Sequence, residues 1–344
     1  MASVDVFVPC YNYGRFLREC VESVLDQDGV DVRILIIDDA STDDTPEIGA
    51  ALARSDARVE YRRHAVNRGH IDTYNEGIDW ASADYALLLS ADDVLTPGAF
   101  GRAANLMDAH PEVGFIFGRG VTTDRPDYGS HTRPTEYRQR ILTGDEFWEV
   151  SCAEASNVVS TPTAVVRTSL QKRIGGYRKD LPHTGDLEMW LRFAAHAAVG
   201  VIDADQGFYR VHGHNMHVDM FPERLKVLQQ HRDAFELLFR EYGALLKDGE
   251  RLRRMAMRAL ALGAVRNSTR LFEQNDPVAS QRLAEIARAL FPQICDEREW
   301  KRLCWKRRFG RSASGVASRF FRAFRKPKPV DRSPFGRSGI FTGF

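Results

Sequence analysis

Two adjacent carboxylates, Asp92 and Asp93, stand at the end of the apolar run "YALLLS" (85–90). Charges so near a low-dielectric core are expensive unless a cation or water compensates them. A divalent cation with hard oxygen ligands is one compensation, and cations that hold nucleotide phosphates are commonly tied to the protein by one or two carboxylates. Two more polar clusters, "PCYNYG" (9–14) and "DDASTDDT" (38–45), also follow apolar runs. Tyr11 offers an aromatic face, and Asp39 an acceptor for a base N–H or a ribose hydroxyl. Singly, Asp38, Asp43 and Asp92 read better as turn formers or helix caps, places that Asp favours. Their coincidence points to a cleft. Neither a GxxxxGK loop followed by Ser or Thr nor a GxGxxG after the first strand is present. A nucleotide here would rely on a cation for its phosphates and on side chains for its base.

The elements that must position these clusters alternate between strand-like and helical patterns, the signature of an α/β sandwich with a largely parallel sheet. Strands are expected at 4–9, 32–37, 58–62, 85–90 and 113–118, and an amphipathic helix at 15–27 from Phe16, Leu17, Cys20, Val21, Val24 and Leu25. Pro97 suits the first turn of another helix. Ligands of such sheets bind beyond the carboxyl ends of the strands. All three clusters lie at such ends. The stretch 122–139 reads as a surface excursion, after which strands are expected at 163–167, 199–203 and 207–212 and a helix at 185–196. From Pro222 to about Arg308 the pattern is helical. Three segments result: an α/β domain that carries the polar clusters (1–218), a helical region (219–310) and a basic tail (311–344) expected to be disordered from its Pro, Gly and Ser content.

Composition is ordinary for a soluble globular chain, with 43% hydrophobic and 28% charged residues. No apolar run reaches the roughly eighteen residues of a spanning helix, and the N-terminus lacks the basic start of a secretory leader. Five cysteines without CxxC spacing argue against a disulfide framework or a zinc site and fit a reducing cytoplasm. The net charge of +1 hides thirteen Lys or Arg between 301 and 337 against the single acid Asp331.

"VFVPCYNYGRFLRECVESVLDQ", "ILIIDDASTDDT", "NRGHIDTYNEGIDWASADYALLLSADD", "GDLEMWLR" and "YRVHGHNM" occur in that order over about residues 3–218. In these motifs the chain resembles a family 2 glycosyltransferase of the inverting GT-A type. The resemblance implies a Rossmann-like, mostly parallel sheet flanked by helices, here with a helical C-terminal extension. It implies that Pro9 and Tyr11 border the nucleobase, that Asn12 helps bind the nucleotide sugar, and that Asp39 contacts the base. Asn67 and Gly69 would line the donor side, Asp92 and Asp93 would form the diphosphate and metal motif, Asp186 would be the general base, and His212 would join Asp93 as a ligand of Mn2+ or Mg2+. Two positions depart from the pattern. Ser90 replaces an acid that many relatives carry, and Gly185 replaces the first of an acidic pair, which makes Glu188 a rival base. Residues two apart on a helix point about 200° apart, so Asp186 and Glu188 cannot both face the cleft. Asp186 begins its helix, where the dipole favours an ionised acid, though it could equally be a cap. His212 directly follows an apparent strand, whereas His214 and His217 lie in the loop beyond.

The expected activity is a single displacement that moves a sugar from a UDP-sugar to a hydroxyl of a surface-glycan or lipid-linked acceptor in polysaccharide biosynthesis at the cell envelope. A QxxRW signature, expected of polymerising relatives, does not follow Asp186. The basic tail, with Trp305, Phe309, Phe320, Phe321 and Phe324 among its cations, suits an anionic membrane surface. The chain is accordingly expected in the cytoplasm, peripheral to the inner face of the membrane. A solvated tail and nucleic-acid contact are the alternatives. A nucleotidyltransferase, which would carry a Gly-rich basic loop after the first strand, and a sugar-nucleotide-binding scaffold are the rival functions.

Overall fold

The computed structural model describes residues 1–124, 136–213, 215 and 224–323. The expected surface excursion lies in part, and the end of the basic tail wholly, outside the described residues. β1 (Ser3–Cys10) buries Val4, Val6 and Val8 on one face and Phe7 on the other. α1 (Gly14–Leu25) turns Leu17, Cys20, Val21 and Val24 inward, the stripe read from the sequence. β2 (Asp31–Asp38) has four successive buried residues, Ile34–Ile37, as expected of a strand covered on both faces. α2 (Thr45–Ser55), β3 (Val59–Arg63), α3 (His70–Trp80) and β4 (Tyr85–Leu88) complete the first half.

The chain then passes through β5 (Val94–Leu95), α4 (Ala99–Ala109), β6 (Val113–Thr123), β7 (Gln139–Leu142), α5 (Gly144–Glu154), β8 (Val165–Arg167), α6 (Thr168–Ile174), α7 (Gly185–Ala194) and β9 (Ala198–Arg210). The described strands form one sheet in the order β3-β2-β1-β4-β8-β6-β9-β5, with β7 also paired to β9. β1, β2, β3, β4, β6 and β9 all run in one direction, and β5, β7 and β8 run against them. The sheet is therefore mostly parallel, and the ends of β1, β2, β4 and β9 share one edge of the molecule. The two strands expected at 199–203 and 207–212 are one strand, because register shifts between Gly118 and Gly120 of β6 absorb the irregularity.

A buried charge ties the first strands together. Asp5 accepts Nε and Nη2 of Arg33 at 2.8 and 2.7 Å and the amides of Ser82 and Ala83 at 2.6 and 2.8 Å. A carboxylate with so many donors can be buried without being neutralised. α7 is fixed by aromatic packing: Phe115 of β6 meets Trp190 at 5.2 Å and Phe193 at 5.6 Å between ring centroids. Trp148 Nε1 adds a hydrogen bond to Leu191 O at 3.0 Å.

Two compact units are distinguished. The first draws on Met1–Trp148 and Asn157–Phe221, and the second on Glu149–Ser156 and the described helices from Arg224 on. The second contains α8 (Arg224–Tyr242), α9 (Gly249–Glu273), α10 (Pro277–Leu290) and α11 (Arg298–Ala323), the last broken at Gly310 with φ 77°. Asp248 caps α9 and Asp276 caps α10, with Pro277 at its first position. Ala261, Ala264, Val265, Leu283, Ala284, Ala287, Ile294 and Leu303 form the core of this unit. Among the described residues no helix is long and apolar enough to cross a membrane. All five cysteines are free. Burial pushes the Cys10 and Cys152 thiols up to about 12, which leaves them unreactive.

Candidate active site

The carboxyl ends of β2, β1 and β4 lie side by side, and each carries one polar cluster. Asp38 behaves as a turn former: it accepts the Ser41 amide at 2.8 Å and the Tyr61 hydroxyl at 2.7 Å. Asp43 ties α2 to α1 through Thr45 N at 3.0 Å and Gly14 N at 3.1 Å. Asp39 sits in a cage of donors. Its Oδ1 accepts Arg68 N at 2.7 Å and faces His64 Nδ1 at 2.7 Å, and its Oδ2 accepts Gly69 N at 2.8 Å. Gly69 N also reaches Asn67 Oδ1 at 3.0 Å, so Asn67, Gly69 and Asp39 form one bonded loop. Gly69 has φ 83°, a conformation that disfavours other residues. Asn12, itself at φ 57°, bridges the loops: its Oδ1 accepts Thr42 N at 2.8 Å, and its amide donates to Ser41 Oγ at 2.9 Å. Pro9 is half-buried at the end of β1, and Tyr11 stands exposed beyond it.

Asp92 and Asp93 occupy the turn between β4 and β5. Because β5 pairs with β9 at Val94–Phe208 and Leu95–Gly207, this turn carries the chain from the middle of the sheet to its far side. The end of β9 is thereby laid against both acids. Arg210 N donates to Asp93 Oδ1 at 3.0 Å, and Arg210 Nε to the Asp92 carbonyl at 2.8 Å. His212 Nε2 lies 3.0 Å from Asp92 Oδ2, which also accepts Asn215 Nδ2 at 3.3 Å. The imidazole is stacked on Phe16 at 5.0 Å and meets the edge of Tyr13 at 5.4 Å. Burial, then the neighbouring Asp92, push the Asp93 carboxyl well above the ordinary carboxylate range. Burial also raises Asp92, against the pull of His212 and Arg210.

Asp186 opens α7 and is half-buried. Its Oδ2 accepts Thr161 Oγ1 at 2.7 Å, and Tyr177 also bonds to the carboxylate. Burial raises its pKa, opposed by those two bonds and by the charge of His70. Glu188 is elsewhere: fully buried, it pairs with Arg178 Nε at 3.1 Å and Arg192 Nη2 at 2.6 Å. Glu188→Gln breaks this pair and is expected to cost about 3–5 kcal/mol of stability in urea unfolding, with donor affinity kept in the folded fraction. An unchanged stability with lost turnover would instead put Glu188 into the chemistry.

The acid pair and Asp186 act on the same two tyrosines. Tyr209, next to Arg210 on β9, is pushed up to about 12, first by burial and then by the charges of Asp93, Asp92 and Asp186. Tyr74 of α3 is raised by burial and by the same three acids. Residues 5–163 match the family model described as glycosyl transferase family 2. Over those residues the chain is similar to that family. Over 206 residues it is 32% identical to an uncharacterized protein of Mycobacterium tuberculosis, a match covering 57% of this chain and 63% of that protein. The chain therefore spans less than two thirds of that relative. TarS 1-349 of S. aureus, solved in complex with UDP-GlcNAc, has a TM-score of 0.62 at 17% identity, covering 85% of this chain and 81% of that one. The mannosyltransferase PcManGT from Pyrobaculum calidifontis, solved with GDP-Man and Mn2+, has a TM-score of 0.51 at 18% identity, with coverages of 84% and 87%. At those identities the likeness speaks for the fold, which is the GT-A fold.

The residues at the acid pair fit a divalent cation. Asp93 Oδ1 is engaged by the Arg210 amide, while no donor meets its second oxygen among the described residues. His212 Nε2, 3.0 Å from Asp92 Oδ2, adds an imidazole nitrogen to the oxygens of the acid pair. Carboxylate plus imidazole is a donor set that suits Mn2+. Among the described residues no group of three or more His, Cys, Asp or Glu is placed to hold an ion by itself. Phosphate oxygens and water would complete the shell.

Several participants are not recognisable in the sequence. Arg210, buried and paired with Glu19, carries the backbone amide on Asp93, and its only sequence signal is its place in "YRVH". His64 and Glu76, whose side chains meet at 2.8 Å behind Asp39, and Thr161 and Tyr177 behind Asp186, carry no motif of their own.

Proposed function

We propose that the chain is a metal-dependent, inverting glycosyltransferase that moves a sugar from a nucleoside-diphosphate sugar, a UDP-sugar, to a hydroxyl of a surface-glycan or lipid-linked acceptor. The observation that carries this reading is that Asp93, Asp92 and Asp186 all bear electrostatically on Tyr209. A general base and a diphosphate-binding acid pair are the two groups a direct displacement needs in one cleft. The match of residues 5–163 to the glycosyl transferase family 2 model and a GT-A neighbour solved with UDP-GlcNAc support the donor class.

In the mechanism, Asp39 and Tyr11 receive the base, with Pro9 and Asn12 shaping the loop and Asn67 and Gly69 bordering the donor. Asp92 orients the diphosphate. Asp93 and His212 would hold Mn2+ or Mg2+, which would supply Lewis-acid stabilisation of the charge on the leaving nucleoside diphosphate. Asp186 takes the proton of the acceptor hydroxyl as its oxygen attacks the anomeric carbon and the bond to the diphosphate breaks, which inverts that centre. Thr161 and Tyr177 hold the carboxylate in place. No covalent intermediate with the protein forms.

A thermal-shift screen of nucleotide sugars with and without Mn2+ tests base, sugar and ion together. A UDP-sugar with Mn2+ at about a hundred times its Kd adds roughly 2.7 kcal/mol of stability, and the same sugar without the ion adds much less. Equal melting temperatures across every donor in the presence of Mn2+ would remove the donor site from the reading.

A further inference from the structure

The first turns of α11 have one face held inside the helical unit and one left to solvent. Leu303 is fully buried, Lys306 is buried in an ion pair with Glu273, and Arg307 Nη2 donates to Ser268 Oγ at 3.1 Å and Ser280 Oγ at 2.8 Å. These contacts set the rotation of the helix. At about 100° per residue, Lys301, Arg302, Trp305, Arg308 and Phe309 fall on the other side, and all five are exposed. Trp305 and Phe309 keep 42% and 53% of their surface in water although their rings meet at 5.3 Å. The Arg308 guanidinium lies 5.7 Å over Phe309. Among the described residues no carboxylate pairs with Lys301, Arg302 or Arg308. The sequence continues in the same vein, with Arg311 and then Arg319 and Arg322 flanking Phe320 and Phe321.

We propose that this face of α11 docks the chain on an anionic phospholipid surface, with Trp305 and Phe309 in the headgroup layer and Lys301, Arg302 and Arg308 against lipid phosphates. An indole and a phenyl side by side, ringed by cations with long aliphatic stems, match the boundary between acyl chains and headgroups. A nucleic-acid backbone would attract the same cations but leave the paired rings in water. Lipid is therefore the occupant that uses the whole face. The inference goes beyond sugar transfer and does not depend on it.

Flotation of the full-length chain with vesicles needs no sugar donor, so its failure leaves the transferase reading untouched. The chain is expected to float with mixed phosphatidylcholine–phosphatidylglycerol vesicles, not with phosphatidylcholine alone, and to be released by salt. The Trp305→Ala/Phe309→Ala variant should bind about tenfold more weakly. The Arg302→Glu/Arg308→Glu variant should bind about a hundredfold more weakly. Unchanged melting temperatures show that each variant folds, and if the aromatic pair fails that control the arginine pair decides alone. The proposal is overturned if the wild type ignores the mixed vesicles, if the folded variants bind them as the wild type does, or if only duplex DNA or RNA is bound.

Discussion

Asp186→Asn is expected to lower kcat by about a hundredfold to ten-thousandfold, the usual contribution of a positioned general base, while donor affinity measured by calorimetry stays at the wild-type value. The substitution keeps shape and can still accept the Thr161 hydroxyl that now lies 2.7 Å from Oδ2. It removes only the capacity to take a proton. Burial raises the pKa of this carboxyl, against the bonds from Thr161 and Tyr177 and the charge of His70. A base must be ionised to act, so kcat/KM should fall on the acidic side at a pH above the ordinary value of about 3.9 for Asp. Tyr177→Phe removes a bond that favours the charged form and should move that acidic limb further up. Turnover by Asp186→Asn at the wild-type rate would take the base away from this residue.

Asp93→Asn is expected to separate function from stability. Transfer should drop by about a hundredfold or more, as when an electrostatic partner of the transition state is lost, and the stabilisation by donor with Mn2+ should vanish. The folded chain without ion should nevertheless melt higher than the wild type at neutral pH. The sign follows from the raised pKa of this buried acid. A carboxyl whose pKa is higher folded than unfolded favours the folded state below the unfolded value of about 3.9 and loses that contribution as pH rises. Near pH 7 the wild type therefore carries the cost of an ionised acid beside Asp92, and Asn does not. The gain should be about 1–3 kcal/mol, about 2–4 °C per kcal/mol for a domain of this size, and it should disappear below about pH 4. A lower melting temperature for Asp93→Asn at neutral pH, without ion, would contradict this account of the pair.

The strands at 4–9, 32–37, 58–62, 85–90 and 113–118 were legible because burial imposes a period on the side chains that a single sequence displays. Observed bounds differ by a few residues, as in Val113–Thr123, where β6 continues into polar residues paired with β9. β5 and β7 were not legible. Two residues such as Val94 and Leu95 have no period, and they are a strand only because β9 is there to pair with them. The opposition of Asp186 and Glu188 could be read from helix geometry. Which of the two is buried could not, since Glu188 is claimed by Arg178 on another segment.

By itself the sequence determined the alternating α/β order, the polar clusters at strand ends and the family motifs, all of which are local in the chain. Only the tertiary structure decided that His212 rests on Asp92, that Arg210 serves Asp93 through its backbone, and that Asp39 is caged by the loop of Gly69. The physical reason is range. Periodicity and turn chemistry act between near neighbours, whereas these contacts join residues 30 to 120 positions apart, and the pairing of β5 with β9 is what closes that gap for the acid pair.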